Sequence, residues 1–181
     1  MRKFSLHNFL SLLVLTSCQN QEPDLIIEDF ESASFANWTV QGDAFGETPA
    51  QGSLSGEQPV TGFQGSYLAN SFHNGDDSRG ILTSKPFRIE RDFINFLIGG
   101  GMSEDTYIEL LVGEQRVARS HSPVESETLQ LMSWDVKAYR GQKASLRIVD
   151  NQRGSWGHIL IDAIEQSNQY KSNIMENYTL T

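Results

Sequence analysis

The sequence predicts an all-β fold, an antiparallel β-sandwich of jelly-roll type forming a single domain. Three observations predict it. From Leu25 onward the apolar residues come in short runs, each broken by Gly, Asn, Asp or Ser, the spacing of strands joined by tight turns. Few stretches repeat their apolar residues every three to four positions over the length of a helix, the pattern a helix needs to bury one face. The 15 glycines and the Phe/Trp/Tyr-rich apolar runs suit a core made between two sheets.

The elements follow in order. Strands are predicted near Leu25–Phe30, Trp38–Gly42, Tyr67–Asn70, Gly80–Phe87, Asp92–Gly99, Tyr107–Val112, Gln115–Ser120, Leu129–Asp135, Lys143–Asp150 and His158–Glu165. Gly113-Glu114 reads as the two-residue turn of a hairpin between two of them. Phe93–Ile98 is apolar on both faces, which marks an interior strand rather than an edge. Gly99-Gly100-Gly101 follows directly. No Lys-Ser/Thr pair and no helix pattern follow it, so a tight turn with unusual backbone angles is expected there rather than a phosphate cradle. Ser133–Arg140 reads as a strand end and one helical turn closed by Gly141. In Lys143–Val149, Ala144, Leu146 and Ile148 share the inward face.

The chain of 181 residues carries 23 Asp+Glu against 14 Lys+Arg, a net charge of −9. Arg2 and Lys3 belong to a leader, and without them 12 basic residues face 23 acidic ones, or −11. Nucleic acid is excluded as a partner, because phosphate binding needs a density of Lys and Arg that is missing. In the leader, Arg2 and Lys3 precede the short apolar run Phe9–Leu15, and Leu15-Thr16-Ser17-Cys18 ends it. The run is too short to span a bilayer, and its arrangement is that of a signal peptide. The ending resembles a bacterial lipobox, in which the thiol is acylated and becomes the first mature residue. Residues 1–17 are expected to be a lipoprotein signal, 18–24 a tether, 25–166 the sandwich and 167–181 a tail or linker. Cys18 is then the lipidation site. The protein is expected in the cell envelope, held to the membrane through the lipid alone and facing the periplasm or exterior.

The sequence shows no metal-ligand or nucleophile spacing, while its 23 acidic residues leave open a pair of carboxylates for glycoside hydrolysis that no spacing singles out. His73, His121 and His158 show no His-x-x-x-His spacing, and the single cysteine leaves neither a disulfide nor a cysteine metal site. No Gly-x-Ser-x-Gly elbow occurs. Asp76, Asp77 and Asp150 carry the oxygens that calcium takes, but not in the alternation of a calcium loop. They are expected to be surface carboxylates, with no metal and no cofactor beyond a structural calcium. Two loops mix aromatic with polar groups: Phe72–Asp77 and Asp150–His158. A sugar offers a C–H face to an aromatic ring and hydroxyls to amides, carboxylates and guanidinium groups. The candidate ligand-binding residues are therefore His73, Asn74, Arg79, Asp150, Asn151, Trp156 and His158. Trp156 is expected either as the stacking face or as core, and His158 either as a donor or as a satisfied strand residue.

The segments IIEDFESASFANWTVQGDAFGETPA, QPVTGFQGSYLANSFHNGDDSRGILTSKPFRIER, INFLIGGG, LLVGEQRVARS, SWDVKAYRGQKASLRIVDN and GSWGHILIDAI resemble one module across Ile26–Ile164. It is the all-β domain preceding the catalytic propeller in Bacteroidetes enzymes of glycoside hydrolase family 32, the levanase and fructanase group. The resemblance implies a carbohydrate-binding or accessory role in fructan (levan) utilisation. Its partners would be a fructan-like polysaccharide or a separate hydrolase. The family's Trp-x-Asn-Asp-Pro-Asn-Gly and Arg-Asp-Pro motifs are absent here, and Arg91-Asp92-Phe93 leads into a strand. Hydrolysis by that mechanism is accordingly not expected of these residues. The alternatives are the front fragment of a split or truncated levanase, and a docking or spacer domain for a separate hydrolase.

Overall fold

Residues 22–173 are described by a computed structural model, so Cys18, the leader and the end of the tail lie outside the described residues. Among the described residues, eleven strands and one 3-10 turn, Lys137–Tyr139, follow each other in sequence. The strands are β1 (Leu25–Glu28), β2 (Trp38–Gly42), β3 (Ala69–Asn70), β4 (Gly80–Ser84), β5 (Phe87–Arg88) and β6 (Phe93–Gly100). They continue with β7 (Thr106–Val112), β8 (Gln115–Ser120), β9 (Ser126–Asp135), β10 (Lys143–Asp150) and β11 (Ile159–Ser167). One sheet runs β1-β11-β6-β9 with β3 also on β11; the other runs β2-β4-β10-β7-β8 with β5 also on β10. The strand pairs are antiparallel throughout. The two-sheet, all-β architecture is the predicted one.

Alternation builds the core between the sheets. Ile94, Phe96 and Ile98 of β6 face Ile108 and Leu110 of β7, Leu82 of β4, and Leu146 and Ile148 of β10, all fully buried. The Phe96 and Trp134 rings meet at 4.6 Å, and the Trp134 indole N–H donates to Ser120 Oγ at 2.9 Å, so the polar tip of a buried ring is satisfied. Near the chain start, Glu28 accepts from the Phe30 backbone and from the Trp38 indole, each at 2.9 Å.

The doubly apolar character of β6 has a second cause besides its interior position. Leu97, with Leu129 and Leu160, points to the outer side of the first sheet, where Val60 and Leu68 cover it in a separate small core. The covering segment between β2 and β3 is pinned by the Ala50–Leu68 bridge and by a parallel bridge of Thr61 to Thr128. A sheet buried on both faces needs apolar side chains on both.

Two local expectations change. The predicted strand Gly80–Phe87 is split into β4 and β5 at Lys85-Pro86, because proline has no N–H to continue a ladder. The glycine triplet is not a turn: Gly99 and Gly100 end β6, and the chain after β10 packs onto them. Gly100 has φ +93°, and a Cβ on Gly101 would overlap the Trp156 carbonyl oxygen. Close approach of two backbones is what demands glycine here. The Gly113-Glu114 hairpin and the turn before Gly141 (φ +83°) are as expected.

Candidate functional site

The two loops singled out in the sequence meet. Gly154 N–H donates to both the Asp76 carbonyl and Asp77 Oδ1 at 3.2 Å. His158 Nδ1 lies 2.8 Å from Asp76 Oδ1, and Nε2 lies 3.1 Å from Glu127 Oε2. His158 is only 2% exposed, with its ring stacked on Trp156 at 5.8 Å and edge-on to Phe72 at 5.2 Å. Burial alone would pull the imidazole down, but hydrogen bonds to Glu127 and Asp76 and their charges hold it above its ordinary value. Glu57, from the covering segment, joins this group. It accepts from Asn70 Nδ2 at 2.9 Å and from Leu54 N–H at 2.6 Å, and burial raises its carboxyl. One ligand atom each from Glu57, Glu127 and His158 lie within 4.8 Å of one another.

Asp150 corrects an expectation: it is a buried carboxylate, 1% exposed, rather than a surface one. It follows Ile148 on the inward face of β10, and neither carboxylate oxygen has a hydrogen-bond partner. Burial pushes it up to about 7. Ser71, the Gln152 backbone and the nearby His158 favour the anion but offset only part of that cost, and Asp76 opposes them.

A separate cleft opens on the outer face of the second sheet, with a volume of about 540 Å³, inside the range of small-molecule sites. Register builds it. Gln41, Ile81, Val149 and Tyr107 align across β2, β4, β10 and β7, and the next row holds Thr39, Thr83, Arg147, Glu109 and Arg119. Arg147 pairs with Glu109 at 3.1 Å, and the Arg119 guanidinium lies 3.7 Å over the Tyr107 ring. Arg79, Asp105 and Asn151 stand at the loop end of the cleft. Guanidinium, carboxylate, amide and aromatic groups thus converge on a rigid sheet surface.

The predicted site residues divide among three places. Arg79 and Asn151 line the cleft from exposed loop positions, and Asp150 forms part of its wall with its carboxylate turned inward. His158 is buried with both ring nitrogens engaged, so a ligand hydroxyl has no access to it. Trp156 is half-buried against His158, at φ +60°. His73 packs on Gly46, and Asn74 donates to Asp43, which also accepts from the Arg79 backbone at 3.4 Å. Both are exposed and neither lines the cleft. Tyr107, Arg119, Arg147 and Gln41 were missed, although alternation in β7 and β10 already turns Tyr107 and Arg147 outward. Nothing local in the sequence links Glu57 or Glu127 to His158, since only the tertiary fold joins them.

No family model matches the chain. A protein of Aspergillus rugulosus with the provisional name glycosyl hydrolase ecdE is 42% identical over 158 residues, covering 85% of this chain and 22% of that protein. The chain therefore spans about a fifth of that relative's length. Among solved structures, the carbohydrate-binding module TmCBM61, in complex with β-1,4-galactotriose, has a TM-score of 0.52 at 16% identity over 75% of this chain and 91% of its own. The K2 cleaved adhesin domain of Lys-gingipain has a TM-score of 0.51 at 16% identity over 80% and 99%. At such identities the likeness to both structures is one of fold.

Proposed function

We propose that the sandwich is a carbohydrate-binding accessory domain working with a glycoside hydrolase, and that the outer-face cleft receives the glycan. The observation that carries this is the cleft itself: Arg79, Asn151, Gln41 and Asp105 surround it beside the Tyr107 ring. Planar amide, guanidinium and carboxylate groups match ring hydroxyls, and a site built to bond a hydroxyl discriminates strongly against ligands that lack one. The name of the 42% identical relative and the fold shared with a galactotriose-binding module support the same direction. The finer reading rests on the resemblance to the family 32 module: the glycan is a fructan of levan type, and the domain is held in the cell envelope by a lipid on Cys18.

Calorimetry against levan, inulin and β-1,4-galactan tests it. Arg79→Ala and Asn151→Ala remove exposed polar groups, so the melting temperature should hold while binding weakens at least tenfold, about 1.4 kcal/mol. Undiminished binding in both variants means the site lies elsewhere. Binding to galactan but not levan removes the fructan reading and keeps the glycan one. A second reading, that the domain is one part of a longer hydrolase, is favoured by the length of the Aspergillus relative. A catalytic signature in the adjoining reading frame decides between them.

A further inference from the structure

The buried cluster around His158 is separate from the cleft, and charge balance is the difficulty it presents. Glu57, Glu127, Asp76 and Asp150 surround a single imidazole, and the ion pairs of Glu127 and Asp76 are both to His158. Buried carboxylates are costly unless paired or bound to a metal. The groups also have metal-ligand geometry. The separation of 3.1 Å between His158 Nε2 and Glu127 Oε2 is close to the roughly 3.3 Å between two ligand atoms that each lie about 2.0–2.1 Å from a tetrahedral ion. The Glu57 carboxylate falls within the same 4.8 Å sphere.

The surroundings orient these ligands. Asp76 holds Nδ1 of His158 at 2.8 Å, leaving Nε2 toward the carboxylates, the arrangement in which a carboxylate fixes the ring of a metal-binding histidine. Asn70 reaches both oxygens of Glu57 at 2.9 Å. Trp156 stacks on the imidazole and Phe72 meets it at a steep angle.

We propose that Glu57, Glu127 and His158 form a binding site for one divalent transition-metal ion, with Zn2+ preferred. Calcium takes oxygen ligands, so an imidazole at the centre of the set selects against it. A set of one imidazole and two carboxylates suits zinc or manganese, and zinc is the tighter of the two in the general affinity order. The ion takes the place of the proton shared between Nε2 and Glu127, and that proton leaves to solvent. The three ligands come from the covering segment, from β9 and from the residue before β11. An ion there ties that segment to the end of the first sheet.

The test uses the full chain freed of metal by chelation and dialysis, titrated with Zn2+, Mn2+ and Ca2+. One zinc per chain is expected, with weaker Mn2+, negligible Ca2+, a raised melting temperature and slower amide exchange over residues 54–60. The imidazole nitrogen signals of His158 should move with zinc while those of His73 and His121 stay. Glu57→Gln keeps an acceptor for Asn70 and should fold normally while losing at least tenfold in zinc affinity. If His158→Gln fails to fold, Glu57→Gln and the nitrogen signals still decide. Absence of saturable zinc binding overturns the proposal, and so does undiminished binding in Glu57→Gln. Movement of His73 or His121 in place of His158 also overturns it.

Discussion

Asp162→Asn should make the protein more stable at alkaline pH, the reverse of the usual effect of altering a fully buried residue. Asp162 lies on β11 with 0% exposure. Its Oδ2 accepts from the Gln64 N–H at 2.7 Å, while Oδ1 has no partner. Burial, aided by the Glu31 and Asp29 carboxylates, pushes it from 3.8 to about 7. Below about pH 4 both folded and unfolded chains hold the proton. Between there and pH 7 only the folded chain does, so stability falls as pH rises, and above pH 7 the full penalty applies. At about 1.4 kcal/mol per tenfold the displacement sets an upper value near 4 kcal/mol, and relaxation around the anion brings about 2–4 kcal/mol into view. In the variant the amide oxygen can still accept from Gln64, and the neutral amide carries no charge for the Glu31 and Asp29 carboxylates to repel. Urea denaturation of chelator-treated protein at pH 4 and pH 8.5 measures this. The variant should match wild type at pH 4 and exceed it by about 2–4 kcal/mol at pH 8.5. A variant less stable at pH 8.5, or with a pH slope equal to that of wild type, refutes the reasoning.

Phe96→Ala removes a fully buried ring packed on Trp134 and should cost about 3–5 kcal/mol by denaturant titration; a loss under about 1 kcal/mol would contradict the core as described. Gly101→Ala drives a methyl into the Trp156 carbonyl. The urea midpoint should fall by an amount equivalent to about 1–3 kcal/mol with little change in slope, and a neutral result would mean the two backbones are not in close contact. Cys18→Ala should abolish lipid labelling and move the protein out of the membrane fraction, and unchanged retention in the membrane would count against the anchor.

Much of the secondary structure was legible because alternation is local. β2, β8 and β10 have the predicted bounds, since period-two apolar patterns and the Gly113-Glu114 turn are written within a few residues. The inward set Ala144, Leu146 and Ile148 followed from the same pattern and is buried, whereas in the doubly apolar β6 only the packing shows that Phe96 and Ile98 face the second sheet. The aromatic-polar loops were equally readable as text, and the loops do meet. What happens where they meet was not readable. Whether Asp150 is a surface or a buried carboxylate depends on the other sheet closing over it, because a side chain at the end of β10 is exposed until Ser71 and His158 arrive from elsewhere. The cleft needed register across four strands to bring Gln41, Arg147 and Tyr107 side by side. The His158 cluster needed contacts 31 and 82 residues apart in sequence, to Glu127 and Asp76. Sequence alone determined which residues share a face of each strand, because a strand's side chains alternate whatever it pairs with. Only the tertiary structure decided which polar groups became partners, because partnership depends on distance and burial between segments that have no local pattern in common.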